Sequence, residues 1–260
     1  MSGFSAEWLA LREPADTAAR SNDLAAFIAS TGGPFHGRLL DLGGGTGANI
    51  RYLSSRFPSP QTWALVDDDA ALIAKAPPDV LRHRGDLNRV LDDHGLFEGC
   101  AVVTASALLD LVPERWLEKL VLRAKAAGAA MLFALNYDGR IVCSPEDPDD
   151  ALVQRLVNEH QKTDKGFGPA LGPDAGARAI QLMTAAGYTT RQERSDWTLD
   201  PDMRPLQREL VDGWAAAAAE VSPEQKASVD AWRARRVAYI DAGRSRIVVG
   251  HLDVAGVCRA

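Results

Sequence analysis

The sequence predicts an α/β protein: a seven-stranded, mostly parallel sheet with helices on both faces, elaborated by helical insertions at about residues 141–175 and 203–241. Three observations carry this. Short continuous apolar runs alternate with amphipathic helical stretches from residue 38 to residue 135, which is the pattern of parallel strands covered on both sides. The first run feeds directly into Gly43, Gly44, Gly45 and Gly47. The chain of 260 residues, 46% hydrophobic and 25% charged, has an ordinary globular balance and enough length for a sizeable core without disulfides.

Residues 5–30 read as helix, with Trp8, Leu9, Leu24, Phe27 and Ile28 on an apolar side and Pro14 interrupting it. Thr31-Gly32-Gly33-Pro34 ends it, since glycine accepts left-handed geometry and proline cannot continue a helix. Residues 38–42 form an apolar run that reads as a buried strand, and 48–57 as the helix after it. The alternation repeats, with strands at 63–66, 80–84, 101–104 and 130–135 and helices at 70–76 and 113–127. Trp116, Leu117, Leu120 and Val121 share one face of the latter. Beyond residue 140 the pattern loosens. A short helix at 149–160 sits among prolines and glycines, followed by a helix at 175–186 and a strand at 189–199. Residues 203–241 read as two helices, the second opened by Ser222 as N-cap with Pro223 in first position. Residues 246–252 form the last strand. No repeat and no linker divides the chain, so one domain over 1–260 is expected.

Several function classes are disfavoured. A net charge of −6 argues against a protein that grips nucleic-acid phosphates. Cys100, Cys143 and Cys258 are far apart, and no CxxC or HExxH spacing occurs, so no metal site is expected. No apolar run reaches membrane-spanning length, and the N-terminus lacks the basic and apolar regions of a signal peptide, so a cytoplasmic protein without a membrane partner is expected. There is no Walker-type loop, and none of Tyr52, Tyr137, Tyr188 and Tyr239 has the lysine four residues on that a short-chain dehydrogenase uses.

Leu39-Leu40-Asp41-Leu42-Gly43-Gly44-Gly45-Thr46-Gly47 is the most informative segment. A glycine-rich strand-to-helix turn lets backbone approach a ligand and presents helix N–H groups to it. Gly43, Gly45 and Ala48 satisfy the dinucleotide pattern G-x-G-x-x-G/A. Asp41, Gly43, Gly45 and Gly47 satisfy D-x-G-x-G-x-G, which resembles the first motif of class I S-adenosylmethionine-dependent methyltransferases. The neighbours choose between them. Asp41 puts a carboxylate where a pyrophosphate would be repelled and a cationic methionine end favoured. Asp67, about twenty residues past the glycines, suits a ribose in either class.

The resemblance implies a Rossmann-like fold and S-adenosyl-L-methionine as cofactor, with S-adenosyl-L-homocysteine as product. It also implies a cofactor-binding half at 36–140, after an N-terminal helical segment (1–35), and a substrate-side half at 141–260. Asp41 and the backbone of Gly43, Gly44, Gly45 and Gly47 would line the methionine end, and Asp67 would hold the ribose. Asp69 is expected at the next helix N-cap. Asp68, toward solvent, stands where the family often has an apolar residue over the adenine. Asp86 and Leu87, after the third strand, resemble the adenine station, with a plain turn acid as the other reading of Asp86. Ser106, after the fourth strand, would lie beside ribose and methionine. A non-catalytic nucleoside-binding module and an NAD(P)-dependent oxidoreductase are the alternatives to a methyltransferase.

Substrate groups are expected at the carboxyl ends of strands four and five and in the insertions. They are Asp110, Asn136, Tyr137, Arg140 and His160, with His160, Asp138 and Tyr137 as catalytic candidates. Each also has a structural reading: Asp110 as a helix cap, Asp138-Gly139 as a turn, and His160 as a helix-end cation. A small-molecule acceptor methylated at oxygen or nitrogen by in-line displacement is the expected partner. The second insertion, with Trp214 and Trp232, is expected to close over the site, bury apolar surface or form a dimer contact.

Overall fold

The computed structural model describes residues 5–30 and 35–258; the expected helix stop at 31–34 lies outside the described residues. Strands β1 (Arg38–Leu42), β2 (Thr62–Asp67), β3 (Leu81–Arg84), β4 (Cys100–Ser106), β5 (Ala130–Ser144), β6 (Tyr188–Arg194), β7 (Trp197–Leu199) and β8 (Arg246–Cys258) form one sheet. Its order is β3-β2-β1-β4-β5-β8-β6, with β7 also paired to β8. The first five strands are mutually parallel, while β8 runs antiparallel to β5, β6 and β7. Strand order reverses between β1 and β4, which makes the carboxyl ends of these two strands the natural place for a ligand.

The helices are α1 (Ala6–Ala19), α2 (Asn22–Ser30), α3 (Ala48–Ser54), α4 (Ala70–Ile73), α5 (His94–Phe97), α6 (Glu114–Ala126), α7 (Asp150–Gln161), α8 (Ala175–Ala185), α9 (Arg204–Val221) and α10 (Lys226–Asp241). Neighbouring residues of β1 serve opposite layers. Leu40 belongs to the core layer that holds Trp116, Leu117 and Leu120 of α6, and Leu39 to the one that holds Leu24, Ile28 and Leu53 of α2 and α3. A strand buried on both faces carries apolar residues toward both layers, which is why the run is apolar apart from Arg38 and Asp41.

The structure corrects the expectation in four places. The sheet has eight strands rather than seven, because the stretch read as one strand is broken at Ser195-Asp196. Its two parts keep one register on β8, but the Asp196 carboxylate, at 3.1 Å, takes the N–H of His251 in place of a backbone carbonyl. β5 continues to Ser144 and β8 to Cys258, so Asp138-Gly139 lies within a strand rather than a turn, and residues 141–144 are strand rather than the start of the insertion. Bulges carry β5 past Leu135, which has φ 55°. Pro14 lies inside α1, and the break falls at Arg20, whose backbone is extended, before Ser21 caps α2 through Leu24 N–H at 3.2 Å. Ser222 makes no N-cap hydrogen bond; its hydroxyl meets Glu224, and α10 starts at Lys226 after a short 3-10 turn.

The second insertion is fixed to the first by buried charge. Arg236, fully buried, pairs with Asp150, which also accepts from Trp232 Nε1 at 2.8 Å, while Arg235 holds Asp147 at 2.6 Å. Trp232 and Trp214 sit in an apolar cluster with Val153, Leu156 and Ile247. The edges of the sheet are β3, all four residues exposed, and β6, exposed from Arg191 to Arg194. Among the described residues, no helix is long and apolar enough to cross a membrane.

Asp253 of β8 joins three elements: one carboxylate oxygen accepts from Leu135 N at 2.7 Å and the other from Ser21 N at 3.1 Å. Asp253→Ala leaves two N–H groups without acceptors. It is expected to lower stability by about 2–3 kcal/mol in urea denaturation, since each unsatisfied buried donor costs roughly 1–3 kcal/mol.

Candidate cofactor-binding site

β1 ends on Asp41, and the chain then turns through Gly43, Gly45 and Gly47 at φ 64°, 52° and 79° into α3. Gly44 is required by space, because a Cβ there would lie 2.6 Å from Leu65 and 2.7 Å from Asp41 Oδ2. Gly47 needs both its left-handed backbone and the absence of a side chain, with Pro77 2.7 Å from the Cβ position. The loop is pinned to β2: Gly43 N donates to Val66 O at 2.9 Å, and Gly45 N donates to Asp67 Oδ2 at 2.8 Å.

A cavity of about 540 Å³ opens over this loop, within the usual range for small-molecule sites. Gly43–Thr46 form one wall, Asp67–Leu72 with Arg84 and Leu87 another, and Ser106–Leu108 with Leu111 a third. Phe167, from the loop after α7, and Leu9, Arg12 and Asp16 of α1 complete it. Five carboxylates line it (Asp16, Asp41, Asp67, Asp68 and Asp69) against two guanidinium groups, Arg12 and Arg84.

Asp41 is fully buried. Its Oδ1 accepts from Asn49 Nδ2 at 2.6 Å, while its Oδ2 has no partner. Burial pushes its carboxyl up to about 7, against the pull of the Asn49 hydrogen bond and the Arg20 charge. Burial also raises Asp67, opposed by the N–H groups of Asp69 and Gly45. Asp69 caps α4, accepting from Ala71 N at 2.7 Å and Leu72 N at 3.2 Å.

Of the expected cofactor residues, the fold gathers Asp41, Gly43, Gly44, Gly45, Asp67, Asp68, Leu87 and Ser106 around one cavity. Gly47 lies behind it as the start of α3. Asp86 is not among the lining residues: its carboxylate closes a turn, accepting from Asn88 N at 2.9 Å, so the turn reading fits it. The substrate set is dispersed. Asp110 is buried between the lining residues Leu108 and Leu111, with Oδ1 unpartnered and its carboxyl raised by burial to about 6. Asn136 serves a bulge, donating to Phe133 O at 3.1 Å and Leu252 O at 2.8 Å.

None of the three catalytic candidates lines the cavity. The Tyr137 hydroxyl donates to Asn158 at 2.8 Å. Asp138 and Asp196 both pair with Arg140, at 2.7 Å and 2.6 Å. His160 lies between Lys165 (3.0 Å) and Glu220 (3.4 Å), and burial and the lysine lower its basicity. Nor do Trp214 and Trp232 close over the site. Sequence reading missed α1 as a wall; the one signal was Arg12 and Asp16 at i,i+4, which form an ion pair at 3.0 Å beside Trp197.

Between about pH 4 and 7 the folded chain keeps a proton on Asp41 that the unfolded chain, with an ordinary aspartate, has released. The contribution of Asp41 to stability therefore declines as pH rises through that window and levels off above it. Thermal unfolding of ligand-free protein is expected to show this decline, with Asp41→Asn flattening it relative to the parent.

No family model matches the chain, and no curated protein matches it. Solved structures do. A cyclopropane-fatty-acyl-phospholipid synthase-like protein from Lactobacillus casei is 16% identical over 98% of this chain and 94% of its own, with TM-score 0.54. A candidate type II methyltransferase from Anaeromyxobacter dehalogenans is 14% identical over 92% and 97%, with TM-score 0.53. The cyclopropane synthase MmaA2 from Mycobacterium tuberculosis is 13% identical over 97% and 94%, with TM-score 0.50. At these identities the likeness is one of fold, and the chain has the Rossmann-like fold of class I S-adenosylmethionine-dependent methyltransferases.

Proposed function

We propose that the chain is an S-adenosylmethionine-dependent methyltransferase acting on a small-molecule acceptor at oxygen or nitrogen. The observation that carries this reading is the charge of the cavity. A buried carboxylate with a free oxygen, Asp41, sits under the glycine turn, in a cavity where carboxylates outnumber guanidinium groups five to two. A dinucleotide would bring a pyrophosphate against those acids, whereas a nucleoside with a cationic tail relieves the unpaired charge.

Asp41 faces the ammonium end. Asp67 already takes two N–H groups, and its remaining lone pairs suit ribose hydroxyls. Leu72, Leu87 and Leu108 supply apolar walls for the base. When bound, S-adenosylmethionine supplies a methyl group already activated on a sulfonium. The chain therefore has to align the acceptor and exclude water; well-oriented groups are worth about 7–11 kcal/mol. The acceptor end lies toward Phe167, Leu111 and Arg12, with the unpartnered oxygen of Asp110 buried beside it. His160, Asp138 and Tyr137 are engaged elsewhere and take no catalytic part in this reading.

Calorimetric titration is expected to show micromolar binding of S-adenosylhomocysteine and none of NADH, with Asp41→Ala weakening the former at least about tenfold. Binding of NADH alone would make the chain an oxidoreductase, and binding of neither would sink the cofactor assignment. Methyl transfer to no member of a panel of hydroxyl and amine acceptors, despite tight cofactor binding, would favour a non-catalytic binding module.

A further inference from the structure

The nucleoside end of the cavity takes its walls from the ends of β1, β2 and β3, and the arginine there, Arg84, donates to the Asp68 carbonyl at 3.2 Å. Arg12 of α1 stands over the other half of the sheet. Its guanidinium lies above the Trp197 ring of β7, 4.9 Å from the centroid, and its charge is felt by Asp110 after β4 and by His251 of β8. The side chain is 11% exposed and lines the cavity. One edge of the guanidinium is engaged. Nε and Nη2 donate to Asp16 at 3.0 Å and 3.2 Å, and Asp16 also accepts from Trp197 Nε1 at 3.0 Å. Nη1, on the opposite edge, has no acceptor among the described residues. Leu9, Leu108, Leu111 and Phe167 give the same cavity apolar surface, and no lysine is among the described residues that line it.

We propose that the free edge of Arg12 holds a carboxylate of the methyl acceptor, which makes the acceptor a small organic acid with an apolar body, methylated at an amine or a hydroxyl. This rests on the S-adenosylmethionine reading and names the substrate class of the same site. A guanidinium offers more than one edge to planar partners, and Asp16 takes only one of them. Asp16 and the indole face already fix the group, so little freedom is lost when a ligand arrives. A carboxylate suits this edge better than a phosphate. One guanidinium, already facing Asp16 and with no lysine beside it in the lining, cannot balance a dianion. The carboxylate is the handle and not the methylated group, because an oxygen held by a guanidinium has its lone pairs engaged. In the transfer the carbon–sulfur bond breaks with its electron pair left on sulfur. A bond forms to the acceptor nitrogen or oxygen, whose proton passes to water.

The test is calorimetric titration of the protein loaded with S-adenosylhomocysteine, using acids and their carboxamides in matched pairs. The acids are 2-aminobenzoate, 4-hydroxybenzoate and 2-hydroxy-4-methylpentanoate, with phenyl phosphate beside them. At least one acid is expected to bind at least about tenfold more tightly than its amide. Arg12→Met should erase that preference while S-adenosylhomocysteine affinity holds, and Arg12→Lys should keep part of it. No acid preferred over its amide, phenyl phosphate bound more tightly than every acid, or a preference that survives Arg12→Met would overturn the proposal. Weakened S-adenosylhomocysteine binding in folded Arg12→Met would also overturn it, by placing Arg12 on the cofactor. Arg12→Met leaves Asp16 without its cation. If it fails to fold, shown by loss of a cooperative thermal transition, the combination with Asp16→Asn carries the same comparison. Failure of the parent to bind S-adenosylhomocysteine would remove the cofactor reading itself. Cofactor binding with no preference for acids would remove only the acid acceptor.

Discussion

A chain of buried hydrogen bonds crosses the sheet at the carboxyl ends of its central strands. Asn49 of α3 donates one amide to both Asp41 Oδ1 (2.6 Å) and Thr104 Oγ1 (3.1 Å), and the Thr104 hydroxyl passes on to Leu132 O at 2.6 Å. One helix and three strands are thereby tied at the point where strand order reverses. Buried polar groups are costly unless satisfied, and this line leaves two of its oxygens, Asp41 Oδ2 and Asn49 Oδ1, without partners. The acid under the glycine turn and the helix that follows it are tied to the two neighbouring strands by this line of contacts.

The second constraint comes from the N-terminus. α1 covers the cavity through contacts of two kinds: Ala15 is buried, and Trp8, Leu11 and Ala19 pack, against the apolar cluster that holds Trp197, Trp214 and Trp232, while Glu13 pairs with Arg51 and Asp16 accepts from Trp197 Nε1. Exposed ion pairs are worth at most about 1 kcal/mol each, so the apolar side of α1, rather than the Glu13–Arg51 pair, holds this wall in place. The same cluster holds Trp232, beside which the buried Arg236 pairs with Asp150 and donates to the Pro145 carbonyl; neither residue lines the cavity over the glycine turn, and the helical insertion serves as packing.

Sequence reading succeeded where backbone and chemistry demand the same residues. The alternation of β1, β2, β4 and β5 with helices was legible because strands buried on both faces leave few polar positions to blur the pattern, whereas β3, exposed along its length, shows no such run. The glycine turn, Asp67 and the Asp69 cap were legible because each is a local requirement, met within a few residues. The rest depends on partners distant in sequence. Nothing near Arg140 announces that Asp196 will engage it, and so Asp138 and Arg140 looked free. Asp86 followed the expected spacing, but Asn88 two residues on closes it into a turn. The extension of β5 past Asn136 is set by β8, more than a hundred residues later, and Arg12 reaches the cavity only because α1 folds back over it.

The sheet is open at both ends, and its outermost strands carry little apolar cover. β3 reads Leu81-Arg82-His83-Arg84, and β6 ends in Arg191-Gln192-Glu193-Arg194, all exposed. Unpaired strand edges are templates for pairing with other chains, and charge is a common way of blunting them. A second copy brought edge to edge with β3 would set Arg82 and Arg84 against their own kind. Growth of the sheet into a ribbon is thus opposed by self-repulsion, a property that the cavity does not need but that a concentrated solution of the protein does.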